Sequence, residues 1–515
     1  MDSVLLMKFL ASEAVIGILV YFLSIKRSEF PLNMLQLEGY NNQDYSAWVK
    51  ENKSKLNSIN YKSSDNEKTP LVWTDRAKRL FKIHKHVNLV WLLGLGAAVF
   101  GAFYGTENLA MIIVYICLAF AVYLFQYKIL MQSNSISVPR EEKINMGFYN
   151  SAQEKIKNLK EKNNLKVLGI TGSFGKTSTK FIADTILSES LNVKNTPSSY
   201  NTPMGLSKVI NNELNGSYEV FIAELGAKQK GEIEEVAKLV QPDIGIITAI
   251  GPTHMHMFKS IENIMNTKYE LIENLPEDGV AIFNYDNDYV KVLADKTEIK
   301  TLRYGMDNTE NLDIYAKDIE VNERGSEFTL VIRELGEIKC TTRLLGKHNI
   351  SNLLAAISAG YVLGMDLESI SRGVGKVEPV EHRLNIVDGG TGVIVIDDAF
   401  NSNPVGFRAA LDVISQFKNG NKIIITPGMV ELGDMEEDEN YKIGSEIAKV
   451  CDYTILVGKK RTEPIKRGLE ESGYNMDRVI VVNSLNEATA SLANITRAGD
   501  VVLFENDLPD TYNEE

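Results

Sequence analysis

The chain has 515 residues and a formal net charge of −13, from 55 basic and 68 acidic side chains. A chain of this length is expected to form two or three domains. The acidic balance argues against a nucleic-acid surface, because phosphate binding needs clustered cations. The cysteines, Cys117, Cys340 and Cys451, are far apart and show no metal-ligand spacing, which is typical of a reducing compartment without a disulfide framework.

Three apolar stretches occur in the first 130 residues, and we expect transmembrane helices at about 4–23, 87–106 and 109–128. The segment 25–86 carries twelve Lys or Arg, whereas the short loop 104–108 carries none. By the positive-inside bias, 25–86 is therefore a basic cytoplasmic loop, and the chain after the third span is cytoplasmic again. The alternatives are a cleaved signal peptide at the N-terminus and two buried core helices in place of the second and third spans.

Aromatic residues in the basic loop, among them Tyr45 and Trp48, are expected to lie at the lipid headgroups; contact with a partner or a lipid-linked substrate is the alternative. The membrane region, 1–130, is followed by a charged stretch of helical spacing, 131–165. We expect this stretch to be a helical linker.

The rest of the chain alternates short apolar runs with helical patterns, which is typical of parallel α/β sheets. We predict an α/β fold with a P-loop central domain on a mostly parallel sheet, 166–379, and a C-terminal Rossmann-like α/β domain, 380–515. Alternating apolar residues in 312–345 predict a small antiparallel excursion. Two such domains are expected to enclose a cleft.

A glycine loop, Gly172-Ser173-Phe174-Gly175-Lys176-Thr177, stands between a predicted strand at 166–171 and a predicted helix. Such a loop aims backbone N–H groups and a helix N-terminus at a phosphate chain. Lys176 would neutralise the β- and γ-phosphates, and Thr177 would offer its hydroxyl to Mg²⁺. Ile170 replaces the first glycine of the common P-loop pattern, and an ordinary glycine turn with a solvated lysine is the alternative. We predict that ATP binds to Gly172, Ser173, Gly175, Lys176, Thr177 and Ser178.

An acidic residue, Glu224, ends the predicted strand at 220–225, where its carboxylate could hold Mg²⁺ opposite Thr177. A helix cap or a surface charge is the alternative. His254 follows another predicted strand, and Lys268 lies fourteen residues further on. From the residues alone, neither is assigned a role.

Ordered motifs give the chain a family resemblance. They are Thr171–Thr177, Tyr200-Asn201-Thr202, Glu224–Ala227, Gly251–His254, Lys268-x-Glu270, Asn284, Gly346–Asn349, His382-Arg383 and Asp397–Pro404. In this order the motifs resemble those of the Mur ligases, over roughly residues 166–505. The Asp-x-x-Asn-x-Asn-Pro box is most similar to the branch that adds a dipeptide to a UDP-sugar tripeptide.

The resemblance implies that ATP phosphorylates a substrate carboxylate and that an amine then attacks the acyl-phosphate. It implies a second Mg²⁺ at His254, beside the one at Thr177 and Glu224, and a carbamylated Lys268 that helps to organise metal. It also implies catalytic roles for Lys176, Lys268, Arg383 and Asp398, with Arg383 reaching phosphate when the cleft closes. The remaining implied contacts are Asn284, His348 and Asn349 near the nucleotide base or ribose, and Asn201, Thr202, Asn401 and Asn403 on the substrates.

The chain departs from this pattern in three places. Membrane spans stand where the family has a UDP-sugar domain, Phe400 replaces a tyrosine, and Glu505–Asp510 replaces an expected glycine-serine-arginine turn. We therefore predict a membrane-anchored, ATP- and Mg²⁺-dependent amide ligase of cell-wall precursor synthesis. Its catalytic domains would lie on the cytoplasmic side of a bacterial cell membrane.

The predicted partners are a UDP-linked or lipid-linked envelope precursor, an amino acid or dipeptide, and the membrane, but no nucleic acid. A membrane-associated poly-γ-glutamate or other peptide-polymer ligase is one alternative. A nucleotide-binding envelope scaffold without catalysis is another.

Overall fold

The computed structural model describes residues 3–58, 70–198, 200–322, 325–380, 383–388, 390–399 and 402–508. These residues form two compact units, one ending at Met146 and one running from Gly147 to Leu508.

The first unit is helical. Its helices are α1 (Ser3–Arg27), α2 (Glu29–Leu37), α3 (Asn42–Glu51), α4 (Lys53–Leu56), α5 (Asp75–Thr106), α6 (Met111–Leu124) and the first part of α7 (Gln126–Asn163). The three apolar helices α1, α5 and α6 pack on one another. The ring of Phe9 stacks on that of Phe103 with their centroids 4.0 Å apart.

The outer faces of these apolar helices are not covered by protein. Val15, Phe22, Val90, Leu93 and Ile113 are 64–69% exposed. This exposed apolar surface on α5 and α6 argues against the alternative of two buried core helices. In the part of the chain that the structure describes, two helical segments are long and apolar enough to cross a membrane, Ser3–Leu37 and Asp75–Thr106. The pair α6 and α7 is a third candidate only if taken as one span, since it bends by 67°.

The stretch between α1 and α5 contains folded helices. Tyr45 is fully buried and Trp48 is 6% exposed, in a cluster with Leu32, Leu80 and Tyr127. The cluster forms because α2 and α3 bring their apolar side chains against α5 and α7. The expectation that Tyr45 and Trp48 lie at lipid headgroups is therefore wrong, because both rings are covered by protein.

The central domain of the second unit is built on a nine-stranded sheet of order β2-β3-β1-β4-β5-β6-β7-β8-β9. Its strands are β1 (Lys166–Thr171), β2 (Val193–Asn195), β3 (Val220–Glu224), β4 (Ile244–Ile247), β5 (Val280–Asn284), β6 (Lys300–Gly305), β7 (Ile314–Asn322), β8 (Gly325–Ile332) and β9 (Gly336–Thr342). Neighbouring strands are parallel as far as β7, and β7, β8 and β9 pair antiparallel, which confirms the predicted excursion.

Helices cover both faces of this sheet. Because both faces of β1 are therefore buried, the strand is an almost continuous run of apolar residues. Leu168 and Ile170 join the core on one face, and Val167 joins the core on the other, as alternation along a strand requires. Ile156 of α7 packs into the second core. The helices are α8 (Lys176–Leu187), α9 (Pro203–Asn212), α10 (Glu232–Val240), α11 (Met255–Phe258), α12 (Ile261–Glu273), α13 (Asp288–Asp295), α14 (Lys347–Val362) and α15 (Leu367–Lys376), with a 3₁₀ turn at Thr309–Asn311.

The C-terminal domain carries a six-stranded sheet of order β10-β11-β15-β12-β13-β14. Its strands are β10 (Asn385–Asp388), β11 (Ile394–Asp398), β12 (Lys422–Thr426), β13 (Tyr453–Val457), β14 (Val479–Val482) and β15 (Val501–Glu505). All pairs are parallel except β10 with β11. Its helices are α16 (Pro404–Ser415), α17 (Glu436–Val450), α18 (Glu463–Glu471) and α19 (Leu485–Ile495), with 3₁₀ turns at Gly433–Met435 and Met476–Arg478. The predicted fold class is thereby confirmed.

Candidate active site

A cleft of about 330 Å³ is lined by both domains of the second unit. The central domain contributes the glycine loop, which follows β1, and Glu224, which ends β3. The C-terminal domain contributes Arg383, Asn403 and Glu431. The cleft thus lies at the carboxyl ends of parallel strands, where α/β sheets commonly bind ligands.

The glycine loop is held by close contacts that only glycine permits. A Cβ on Gly172 would lie 2.2 Å from Thr248 Oγ1, and one on Gly175 would lie 2.6 Å from Asn352 Oδ1. Gly175 also has φ of 83°, in the left-handed region. The Thr248 hydroxyl donates to the carbonyl of Phe174 at 2.6 Å, and the N–H of Ser173 donates to Ala249 at 2.7 Å. The first N–H groups of α8 lack intrahelical acceptors by helix geometry, so the N-terminus of α8 suits a phosphate.

Lys176 begins α8 and lines the cleft. Its Nζ donates to the carbonyls of Gly172 at 2.7 Å and Ser173 at 3.1 Å. Burial lowers the pKa of Lys176 and the nearby charge of Arg383 lowers it further, while Glu224 opposes both. Lys176 and Arg383, which come from different domains, thus line one cleft, where both can face an anionic group.

Glu224 is the centre of a buried polar cluster. Its Oε1 accepts hydrogen bonds from Thr177 Oγ1 at 3.2 Å and from Asn201 Nδ2 at 3.0 Å. Its Oε2 lies 3.3 Å from Nζ of Lys180, which is fully buried and also donates to the carbonyl of Ser198. The sequence interpretation missed Lys180, although its place four residues after Lys176 puts it on the same helix face.

The hydroxyl of Thr177 and the carboxylate of Glu224 fit Mg²⁺, which accepts few protein oxygens and keeps its waters. Within the described ranges, no group of three or more His, Cys, Asp or Glu side chains is arranged to hold a metal ion. A metal at this place would therefore depend on ligand phosphates for further oxygens.

His254 lines the same cleft, with its Nδ1 2.5 Å from Glu431 Oε2. The N–H of the next residue, Met255, donates to the carbonyl of Glu431 at 3.1 Å. These contacts join the central and C-terminal domains. Glu431 could not be recognised from the sequence, because it meets His254 only through the tertiary fold.

Lys268 is 2% exposed and lines the cleft. Burial and the neighbouring charge of Lys176 lower its pKa to about 7. Much of this amine is therefore uncharged near neutral pH, and the uncharged amine is the form that can react with carbon dioxide. Glu270, two residues on, instead accepts hydrogen bonds from the N–H groups of Gly231 and Glu234 at the start of α10.

Asn284, His348 and Asn349 are not among the residues that line the cleft. They lie where β5 ends and α14 begins, and Asn284 Nδ2 donates to Ser351 Oγ at 3.2 Å. Asn352 links this group to α8, because it donates to Asn349 at 3.4 Å and accepts from Thr179 of α8 at 3.3 Å. Burial lowers the pKa of His348 to about 4.

Two predicted substrate residues line the cleft and also cap helices. Thr202 accepts the N–H of Gly205 at the start of α9, and Asn403 accepts the N–H groups of Val405 and Gly406 at the start of α16. Capping alone accounts for these residue types. Ser178 also lines the cleft. Asn401 lies outside the described residues, as do His382 and Phe400.

Asp398 lies beside Arg383 but does not line the cleft. It is the register partner of Glu505 at the carboxyl ends of β11 and β15, and burial raises its pKa to about 6. Burial and the charge of Asp398 also raise the pKa of Glu505, whose Oε1 accepts from Ser402 Oγ at 2.6 Å. Asn506 accepts the N–H of Ser402 at 3.2 Å. The unexpected Glu505-Asn506 pair thus holds Ser402, two residues before α16 begins.

Comparisons with known proteins agree with this geometry. Residues 170–360 match the model of the Mur ligase middle domain, and residues 382–505 match that of the Mur ligase, glutamate ligase domain. The chain is 31% identical over 342 residues to UDP-N-acetylmuramoyl-tripeptide–D-alanyl-D-alanine ligase from Bacillus subtilis (strain 168). This match covers 66% of the present chain and 72% of the Bacillus subtilis protein. The chain belongs to the Mur ligase family. As a member of it, the protein is an ATP-dependent ligase.

Other Mur ligases give the same result. The enzyme of the same name from Escherichia coli (strain K12) is 31% identical over 298 residues, or 57% of this chain and 65% of that protein. The crystal structure of MurF from Acinetobacter baumannii superposes with a TM-score of 0.64 at 26% identity, covering 72% of this chain and 78% of that one.

Replacing Gly175 with alanine tests the close contact in the glycine loop. Gly175 and Gly364 have nearly the same backbone φ, 83° and 85°, so alanine is similarly strained at both positions. Only the Cβ added at Gly175 would meet another residue within 4 Å. Both variants should lose about 1–2 kcal/mol of stability from backbone strain. Only Gly175→Ala should also weaken ATP binding, by about tenfold or more, because the displaced loop loses hydrogen bonds to phosphate. Equal nucleotide affinity in the two variants, measured by calorimetry, would contradict the assigned contact.

The lowered pKa of Lys268 predicts a pH dependence of stability. The pKa of Lys268 is about 7 in the folded protein, against about 10.4 for a lysine in the unfolded chain. Between these two pH values the unfolded state binds more protons than the folded state, so the free energy of unfolding rises with pH. Lys268→Met should flatten this rise, whereas the exposed Lys300→Met should leave it unchanged. Urea unfolding at several pH values in carbonate-free buffer measures how the free energy of unfolding changes with pH. The same pH dependence in Lys268→Met as in the wild type would refute the assigned pKa.

Proposed function

We propose that the protein joins an amino acid or dipeptide to a carboxylate of a peptidoglycan precursor, with ATP as the energy source. One observation carries the proposal. A single cleft brings Lys176, Thr177 and Glu224 of the central domain opposite Arg383 and Asn403 of the C-terminal domain. A phosphoryl-transfer site and a second substrate site can thus share one space.

The phosphate-binding role belongs to Gly172, Ser173, Gly175, Lys176 and Ser178, with Arg383 approaching from the other domain. Phosphoryl transfer depends mostly on positioning and on neutralising charge, and these groups supply both. Thr177 and Glu224 would hold Mg²⁺, which would neutralise phosphate charge. In this proposal Lys180 orients Glu224, through the 3.3 Å contact between its Nζ and Glu224 Oε2.

The proposed reaction has two steps. An oxygen of the acceptor carboxylate attacks the γ-phosphorus of ATP, and the bond to the bridging oxygen breaks, so that ADP leaves. The amine nitrogen then attacks the acyl carbon, the carbon–oxygen bond to phosphate breaks, and the nitrogen loses a proton. Carbamylation of Lys268 would convert a buried amine into an anion beside Lys176 that helps to organise metal. His254 would hold a second Mg²⁺.

The remaining roles follow the family pattern. Asn284, His348 and Asn349 would contact the base or ribose of ATP, Asn201 and Thr202 the acceptor, and Asn401 and Asn403 the amine. Asp398 would orient Arg383. The relatives from Bacillus subtilis and Escherichia coli are named for a UDP-N-acetylmuramoyl-tripeptide and D-alanyl-D-alanine. We propose the same kinds of substrate here, with the acceptor linked either to UDP or to a lipid.

The proposal includes a membrane location. Residues 1–130 would form the membrane region, 131–165 the helical linker, and 166–379 and 380–515 the two catalytic domains on the cytoplasmic side. The two apolar helical segments Ser3–Leu37 and Asp75–Thr106 support anchoring, and the basic residues between them support this orientation.

Phosphate release by the detergent-solubilised full chain tests the proposed function. With ATP, Mg²⁺, a UDP-linked tripeptide and D-alanyl-D-alanine, we expect phosphate release and a product heavier by one dipeptide unit. Lys176→Ala should lower turnover by about two to three orders of magnitude, because it removes a cation from the developing charge. Lys166→Ala, at the exposed start of β1, should not.

Other outcomes would contradict the proposal. ATP binding without phosphate release for any pair of wall precursor and amine would indicate a scaffold. A product of polymer size would indicate a peptide-polymer ligase. Equal turnover in Lys176→Ala and the wild type would remove Lys176 from the phosphate site.

A further inference from the structure

A groove of about 950 Å³ lies between α5 and α7 in the first unit. On α5 its lining residues recur at spacings of three and four from Arg79 to Leu95, which is one face of the helix. At about 1.5 Å per residue, this face is about 24 Å long. On α7 the lining residues are Gln132, Ile136 and Arg140, again four apart.

The two ends of the groove differ in chemistry. One end is cationic and is lined by Arg79, Lys82, His86 and Arg140. The other end is apolar and is lined by residues between Val87 and Leu95 of α5. A bidentate contact of Arg79 with Glu141, at 2.7 and 2.6 Å, fixes the register of α5 and α7 at the cationic end. At the apolar end, Trp91 Nε1 donates to Gln132 Oε1 at 3.0 Å.

The cationic end of the groove carries more positive than negative charge. Glu141 pairs with Arg79 and its side chain is only 4% exposed; its single negative charge, which also acts on Arg140, offsets only one of the three cations Arg79, Lys82 and Arg140. Lys82 and Arg140 are exposed, and none of the residues that line the groove is acidic. A ligand that complements this surface carries phosphate charge at one end and a hydrocarbon chain at the other.

We infer that the groove binds the diphosphate and the first part of the chain of a polyprenyl diphosphate carrier, on which the acceptor is presented. The inference rests on the proposed function, because that function calls for a wall precursor at the membrane. The apolar end belongs to Asp75–Thr106, a segment that is able to cross a membrane. The hydrocarbon chain would therefore enter from the bilayer, and basic pockets between membrane helices on the cytoplasmic side are suited to lipid phosphates.

The charges favour this carrier over an ordinary phospholipid. A diphosphate presents two adjacent phosphate groups, and the groove presents Lys82 and Arg140 in addition to the paired Arg79. Charge-assisted hydrogen bonds from such cations are the strong ones. A soluble anion would leave the apolar half of the groove without a partner.

Lipid binding by the full chain in detergent tests the inference directly. Native mass spectrometry would measure the affinity for a long-chain polyprenyl diphosphate, without ATP. The double variant Lys82→Gln/Arg140→Gln should bind at least about tenfold more weakly, since two charge-assisted contacts are lost. Lys78→Gln is the control, because Lys78 is an exposed lysine of α5 outside the groove.

A second pair of variants tests the apolar half. A Cβ on Gly94 or on Gly101 meets no atom within 4 Å, so both positions of α5 are open where a side chain would begin. Only Gly94 lines the groove. Gly94→Leu should therefore weaken lipid binding several-fold and Gly101→Leu should not, while both keep the helix, since leucine has the higher helix propensity.

Competitors identify the ligand. The inference predicts that a polyprenol of equal length without phosphate, inorganic pyrophosphate and phosphatidylglycerol each compete poorly. Competition by any of them at the concentration of the diphosphate lipid would overturn it, as would equal affinity in all four variants. Lipid binding without ligase turnover would contradict the proposed function alone. Turnover on a soluble UDP-linked acceptor without lipid binding would contradict this inference alone.

Discussion

The site depends on how closely the glycine loop passes its neighbours. Gly172 leaves no space for a side chain beside Thr248, and Gly175 leaves none beside Asn352. The Thr248 hydroxyl holds the carbonyl of Phe174 on the inner side of the loop. Because β1 ends and α8 begins at this place, the loop presents the N-terminus of α8 and the side chain of Lys176 to the cleft. Any bulk at these glycines would displace the groups that bind phosphate.

The second constraint is that the cleft needs both domains of the second unit. Arg383 lies close enough to Glu224 and Lys176 for their charges to interact, and His254 contacts Glu431 across the same space. Lys176 and Arg383 repel each other, and Glu224 offsets this repulsion only in part. An anionic ligand between the domains would reduce the repulsion further. Binding of ATP and closure of the domains are therefore expected to favour each other.

Local signals predicted the features that depend on a few consecutive residues, such as β1 with its glycine loop and the antiparallel excursion. The edge strand β10, four residues with a polar residue at each end, gave too little pattern to be recognised. The burial of Tyr45 and Trp48 depends on α2 and α3 packing against α5 and α7, which no local pattern contains. Helical spacing puts Lys180 on the face of Lys176, but its partner Glu224, like Asp398 beside Glu505, is distant in sequence, so these pairings are set by the fold.

Hydrogen exchange of the full chain, with and without a non-hydrolysable ATP analogue and Mg²⁺, tests the central claim most directly. That claim is that backbone N–H groups at the start of α8 hold the phosphates. Slower exchange on nucleotide binding should be strongest in peptides that cover residues 172–178, and weaker in α16 and α17 of the other domain. Nucleotide binding with unchanged exchange at residues 172–178 would show that the phosphates lie elsewhere and would contradict the account.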